Sequence, residues 1–430
     1  MLKKSIKIKI FFAVVTVLLC MIFLLSGCTA GMSRNWVQNT IEQHFYVHPN
    51  DGDYSKIEGL SGLSIDEMVA RLDRYSAYYT KKQYEAVVSD NAGSKSGIGI
   101  TTYFLSGKGV VISTVVGNSP AKKKGIIPGD VIVGGRADGN NYTFSKLADF
   151  TSFVSGRATG EEFTLIFDDY REIAIAKEDY TASYAAMYTR DNAYTIVYEG
   201  ADDKTPEVAV EKVQNFEFLP ENAAYITLSQ FYGNAADEIG LLIKEFNAAH
   251  CTSLILDLRT NGGGYVDTMS QIAGRFTSAY GGNPVSMIAR YKDGKEEYSY
   301  CHNYTDSSSI LPKGTKVSVM ADSGTASASE ALIGVLVSHK IIDYSDIYLS
   351  DYQNGTAVKS YGKGIMQATY KYITGEALKL TVAGIFWPDG VTSIHSRGLN
   401  TTDMDCVAVK ASGVALPGDE EVQFVAQQLK

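Results

Sequence analysis

The chain has 430 residues, 45% hydrophobic and 20% charged, which suits two or three folded domains and excludes disorder as its main state. Its formal charge is −9. Residues 1–27 carry four lysines and no acid, so the remainder holds 35 bases against 48 acids and lacks the basic footprint of a general nucleic-acid binder.

Lys3, Lys4, Lys7 and Lys9 precede an apolar run from Ile10 to Leu25, broken only by Thr16. The run is short for a membrane span, which needs about 20 residues, and slightly long for a signal core. Leu25-Ser26-Gly27-Cys28 resembles the bacterial lipoprotein signal box. The resemblance implies a signal peptide over 1–27 and a lipid on Cys28. The chain is then anchored to the bacterial cell membrane, facing its extracytoplasmic side. An uncleaved signal anchor is the alternative, with the same placement.

Residues 28–92 form the expected N-terminal helical region. Trp36, Val37, Thr40, Ile41, His44 and Phe45 recur at helical spacing. Further helical stretches are predicted at about 65–72 and 81–88. His44 and His48 sit one turn apart, but Pro49 marks a helix end, which favours packing over metal binding.

Residues 93–170 read as a small β-rich domain. Gly97-Ile98-Gly99-Ile100 opens it, a β-branched run follows from Gly109 to Val116, and Phe144, Leu147, Ala148, Thr151 and Val154 follow a helical period. Gly117-Asn118-Ser119-Pro120-Ala121 and Gly125-Ile126-Ile127-Pro128-Gly129-Asp130 closely resemble a PDZ domain in its bacterial, permuted order. In such domains a peptide adds as a strand at one sheet edge. The resemblance implies that Gly97, Ile98, Gly99 and Ile100 hold the peptide carboxylate and strand, with Phe144 and Leu147 on the opposite wall. A groove that is occluded and only supports its neighbour is the alternative.

Residues 171–207 form a polar connector. From 208 to 420 strands and helices alternate, which predicts an α/β core with a largely parallel sheet and an active site at strand carboxyl ends. The fold class expected is therefore multidomain: a helical segment, a β-rich domain and an α/β core.

Three segments of this core carry chemistry. Asp257-Leu258-Arg259-Thr260-Asn261-Gly262-Gly263-Gly264 puts three glycines after a buried strand. It fails the dinucleotide fingerprint, since Asp267 stands where the last Gly belongs, and an oxyanion loop fits better. Gly324-Thr325-Ala326-Ser327-Ala328-Ser329-Glu330 is a turn of small residues fit for a nucleophile, although Ser327 and Glu330 also have capping-box spacing. Tyr361-Gly362-Lys363-Gly364 presents a lysine between glycines. If buried, that amine serves as a base; otherwise it is a solvated turn.

In this order, with Leu72-Asp73-Arg74-Tyr75-Ser76-Ala77-Tyr78-Tyr79 before the β-rich domain and Ala377–Ala383 and Trp387-Pro388-Asp389-Gly390 after Lys363, the motifs resemble those of the carboxyl-terminal processing (tail-specific) peptidases, Ser–Lys serine proteases with a PDZ domain. The first of these flanking segments looks like that family's helical segment. The resemblance implies an endopeptidase cleaving proteins near their C-termini. Ser327 would be the nucleophile, Lys363 the general base and Gln367 the residue orienting the amine. Backbone N–H groups of Ala328 and of Gly263 or Gly264 would form the oxyanion hole.

The resemblance has two departures. The Ser327–Lys363 interval is 36 residues, long for the family, and the extra chain within 343–360 is expected to form a loop. The family's late G-x-x-P-D element is blurred into Gly398-Leu399-Asn400-Thr401-Thr402-Asp403. Competing readings are a Ser–His pair using His339 and a catalytically silent peptide-binding protein. No metal or other cofactor is expected, because the six histidines lack metal-ligand spacing. Cys251, Cys301 and Cys406 are read as free buried thiols, with one bridge as the alternative.

Overall fold

Strands buried on both faces read as unbroken apolar runs, and Ser253–Asp257 is buried at every position. A computed structural model describes residues 31–199, 205–351, 358–411 and 416–429. The expected signal segment and Cys28 lie outside the described residues.

The chain forms two compact units, and the division cuts across the expected domain boundaries. One comprises the described chain up to Val87 with Tyr291–Gly294 and Met366–Ala383. Its helix Arg34–His44 buries Val37, Thr40 and Ile41, and a second helix, Ile65–Ala70, begins at a Ser64–Glu67 capping box. The Leu72–Tyr79 segment, expected to be helical, instead ends in the strand Ala77–Tyr79. This strand pairs antiparallel with Ala377–Lys379, and β-prone Tyr78 and Tyr79 gain there a ladder that a helix would not offer. Strand Ile365–Lys371 completes a hairpin with Ala377–Phe386. His48, weighed as a ligand, accepts the Asn50 N–H through Nδ1, while His44 stacks on Tyr370.

The other unit holds two sheets that matter for the site. A six-stranded sheet runs in the order Ile100–Leu105, Gly109–Val115, Val131–Ala137, Glu162–Phe167, Glu172–Ala176, with Asn140–Thr143 paired to Val131–Ala137. Every resolved pairing in it is antiparallel. Helix Leu147–Ser155 packs Phe150 and Phe153 into a core with Ile98, Ile112, Phe144 and Leu165. Strand Ile100–Leu105 ends the order, so its outer edge carries no strand among the described residues.

The eight-stranded sheet runs Glu207–Lys212, Asn192–Val197, Ala185–Tyr188, Ala223–Leu228, Ser253–Asp257, Lys316–Ala321, Ile347–Asp351, Val407–Lys410. The first strands pair antiparallel; from Ala223–Leu228 onward the pairs are parallel. Helix Glu420–Gln428 covers Tyr225, Ile255 and Met320 with Val422, Val425 and Ala426. Register places Thr227, Asp257 and Met320 side by side, so three loops leave the sheet at one edge. Within 343–360, where a loop is expected, Ile347–Asp351 is a buried strand whose apolar residues extend the sheet, and the expected loop otherwise falls on 352–357, outside the described residues. No helix among the described residues is long and apolar enough to cross a membrane.

Candidate active site

The loops after Leu228, Asp257 and Ala321 are tied together by one residue. Asn261 is fully buried. Its Nδ2 donates to the Leu228 carbonyl at 2.7 Å and its Oδ1 accepts the Gly263 N–H at 2.9 Å. Its own carbonyl accepts the Ala326 N–H and the Ser329 hydroxyl. Asp322 adds a second tie, accepting the Thr260 and Gly324 N–H groups through Oδ1.

Ser327 follows this knot at φ +59°, a conformation that costs a non-glycine residue roughly 1–3 kcal/mol. It is half-buried and stands immediately before helix Ala328–Ser338. Gly263 passes so close that a Cβ there would lie 2.8 Å from the Ser327 Cβ and 2.9 Å from the Ala328 nitrogen. Only glycine permits that approach, which sets the backbone of the Gly262–Gly264 loop against the serine.

The expected capping pair is present, and its carboxylate reaches further than the helix start. Glu330 accepts the Ser327 N–H at 2.9 Å at the N-cap of the helix. The same carboxylate accepts the Lys363 N–H at 3.0 Å, the Gly362 N–H at 2.8 Å and the Ser360 hydroxyl at 2.6 Å. Oε2 alone serves Ser327 and Lys363, so their backbone nitrogens converge on one atom. Burial raises the Glu330 carboxyl pKa, and these four donors pull the other way. Lys363 is half-buried. Gly362, at φ +83°, would drive a Cβ to 2.9 Å from the Gly398 nitrogen, so the lysine turn lies flush on the chain at 394–398.

The remaining candidates fall in different places. Gln367 belongs to the other compact unit, where its Nε2 donates to Thr381 Oγ1 at 3.1 Å. His339 is the C-cap residue at the far end of helix Ala328–Ser338, its ring nitrogen donating to the Val285 carbonyl, about 18 Å along the axis from Ser327. That leaves the Ser–His reading without a contact. Gly264 bridges Phe231 in parallel, through Phe231 N–H to Gly263 O and Tyr265 N–H to Phe231 O. This pattern turns the Gly264 N–H away from Phe231. In the six-stranded sheet, Gly97 pairs with Glu178, Gly99 packs on Ser119, and Ile100 starts the edge strand. Ile98 and Phe144, expected to line the peptide groove, are core residues at 4% and 5% exposure, because Phe144 packs on Phe150 and Phe153. Leu147, exposed at the helix start, remains on the surface.

The Asp257–Arg259 pair, read with the oxyanion loop, has a structural partner set. Arg259 bonds Asp257, Asp419 and Glu421, and Asp257 accepts the Tyr225 hydroxyl at 2.6 Å. This cluster pins the C-terminal helix under the loop. Cys251, Cys301 and Cys406 are buried and unbonded to one another, and burial pushes their thiols up to about 11, 11 and 12.

Residues 222–403 match the model of peptidase family S41. The chain is 27% identical over 368 residues to a CtpA-like serine protease of Staphylococcus haemolyticus, which covers 85% of this chain and 62% of that protein. It thus spans less than two thirds of that relative's length. The solved structure of an S41 protease from Bacteroides fragilis aligns with TM-score 0.53 and 14% identity, over 92% of this chain and 97% of that one. The photosystem II D1 C-terminal processing protease aligns with TM-score 0.51 and 19% identity, over 92% and 95%. These likenesses place the chain among S41 protease folds.

Proposed function

We propose that this chain, whose residues 222–403 match the model of peptidase family S41, is a member of that family and a serine endopeptidase that cleaves proteins near their C-termini. The observation that supports this reading is the shared Glu330 carboxylate, which gathers the backbone of Ser327 and of Lys363 on one oxygen.

The chemistry follows from roles assigned to named atoms. Ser327 Oγ attacks the scissile carbonyl while its proton passes to the neutral Lys363 amine. The carbonyl oxygen, now negative, is held by the Ala328 N–H at the start of its helix, where unpaired donors and the dipole favour an anion. Gly263 gives its N–H to Asn261, so the Gly264 N–H, turned away from Phe231, is the second donor. The protonated lysine then gives its proton to the leaving amine, and water repeats the sequence on the acyl-enzyme. Gln367 orients the amine in this reading.

The β-rich sheet is read as a PDZ domain, with the outer edge of Ile100–Leu105 receiving a substrate tail beside Leu147. Cys28 carries the lipid that holds the enzyme at the extracytoplasmic face of the membrane.

The test is cleavage of a peptide with a free apolar C-terminus, beside its amidated twin. Ser327→Ala and Lys363→Ala should both abolish cleavage, and amidation should weaken binding. Tight binding of the free peptide by wild type without cleavage would instead establish a silent binding protein.

A further inference from the structure

We infer that the hairpin tip Tyr372–Glu376 is a membrane-contact surface that seats the N-terminal unit on the lipid bilayer. The inference rests on the proposed lipid at Cys28 and adds to it a surface on the folded chain.

The tip is built to be apolar at its point and polar at its base. The turn closes with the Tyr372 N–H on the Glu376 carbonyl at 2.8 Å and the Gly375 N–H on the Tyr372 carbonyl at 2.9 Å. Ile373 projects from it with 93% of its surface exposed, the highest value of any large apolar residue described. Behind Ile373, the Tyr372 ring packs on Trp36 at 5.1 Å between centroids. Tyrosine and tryptophan are the side chains that settle at a membrane–water interface, since each has an apolar body and a polar end. Lys371 is exposed at the tip, and the Lys81 stem lies against Gly375, so cations flank the isoleucine as they would at an anionic lipid surface.

The start of the described chain fixes where the anchor must be. A Cβ on Gly31 would lie 3.0 Å from a Glu376 carboxylate oxygen, and the Met32 backbone also bonds that carboxylate. Glu376 is held in turn by the Tyr78 hydroxyl at 2.8 Å. Only two residues lie between Cys28 and Gly31, three Cα–Cα steps that reach about 10 Å even when fully extended. A lipid on Cys28 therefore leaves the hairpin tip no room to stand far from the bilayer surface. An isoleucine exposed in water at that position would face headgroups.

The test uses the full chain, expressed with its leader and reconstituted into vesicles containing anionic lipid. Ile373→Cys and, in the same unit, the exposed Asp53→Cys are each labelled with an environment-sensitive fluorophore, and mass spectrometry reads the lipid on Cys28. The native thiols Cys251, Cys301 and Cys406 are buried and leave the engineered site as the labelling target. Expected is a lipidated protein whose probe at 373 shifts to shorter wavelength and is quenched several-fold more by bilayer-embedded quencher than the probe at 53. A lipidated protein with equal, water-like probes would overturn the tip contact and leave the anchor standing. A protein without lipid on Cys28 would overturn both. A probe at 373 already dry in the absence of lipid would replace the bilayer with a second copy of the chain.

Discussion

Replacing Glu330 by glutamine tests whether one carboxylate aligns the proposed catalytic pair. Each carboxylate oxygen serves two donors: Oε2 takes the Ser327 and Lys363 N–H groups, and Oε1 takes the Gly362 N–H and the Ser360 hydroxyl. An amide can reproduce only one side. If its nitrogen faces Ser327 and Lys363, two backbone donors are orphaned. If it faces Gly362, one is orphaned, and the Ser360 hydroxyl can turn to accept. Glutamine therefore takes the second orientation. One buried orphan N–H costs about 1–3 kcal/mol, and two charge-assisted bonds become neutral ones. Relief from burying a charge offsets part of that loss. The expected result is a loss of about 2 kcal/mol in stability, or a melting temperature lower by roughly 3 °C for a unit of this size. The Gly362–Lys363 turn loses its fixed point, and a shift of about 1 Å in a reacting group costs around 100-fold in rate. Cleavage of a saturating peptide should therefore fall about 100-fold in kcat with KM close to wild type. Glu330→Ala strips all four donors at once and should cost roughly three times as much stability. A Glu330→Gln enzyme with wild-type kcat and melting temperature would refute the idea that this carboxylate sets the geometry.

Gly263→Ala places a methyl 2.8 Å from the Ser327 Cβ and the Ala326 carbonyl at φ +100°, so cleavage should drop at least 100-fold while peptide binding persists; equal kcat would show that the loop does not face the serine. Arg259→Met breaks a buried cluster with three acids, and chemical denaturation should record a loss of about 3–5 kcal/mol; a neutral result would mean the acids do not need the cation. Burial pushes the Glu238 carboxyl up to about 7, against the Tyr198 hydroxyl and the Tyr184 and Ala185 N–H groups that it accepts. The folded state then keeps a proton that the unfolded chain has lost, so stability is highest below pH 4.5 from this group and falls as pH rises to about 7, by roughly 1.4 kcal/mol per unit. Glu238→Gln should remove that slope, giving a change of about 3 kcal/mol in the difference between variant and wild type from pH 5 to pH 8; parallel stability curves would contradict it.

Local signals were legible where a residue's neighbours in sequence are also its neighbours in space. The unbroken apolar run Leu254–Leu256, the helical period of Ala235–Ala248 and the glycines around Lys363 each report their own surroundings. The order of three short motifs pointed to the loops that meet at one sheet edge. Residues whose role lies in distant partners were not legible in the same way. Ser360 reads as a polar loop residue, yet it is buried and bonds Glu330. Phe144 has the right period for a groove wall, but periodicity cannot tell a core-facing stripe from a ligand-facing one. The Leu72–Tyr79 segment turned to strand because Ala377–Lys379, far away in sequence, offers an edge.

The long interval between Ser327 and Lys363 shows why spacing is a weak guide to such a pair. The chain between them adds the strand Ile347–Asp351 to the sheet, and Ser360 bonds the same carboxylate. Separation in sequence would set the separation in space only if the intervening chain were stiff and direct. Here the lysine turn is positioned at its own end, by the Lys363 and Gly362 N–H groups on Glu330 and by the contact of Gly362 with Gly398. A segment can lengthen between two points fixed in this way without moving either, provided the added residues bury themselves elsewhere. Ile347, Tyr348, Leu349 and Ser350 are buried in the core sheet. Shortening the region 352–357 by two or three residues should therefore leave kcat within about threefold, whereas Ser360→Ala, which removes one donor from Glu330 and the acceptor of the Leu399 N–H, should cost about 1–3 kcal/mol and lower kcat. The opposite ranking, with the shortened chain inactive and Ser360→Ala unaffected, would mean that the connection and not the carboxylate holds the lysine in place.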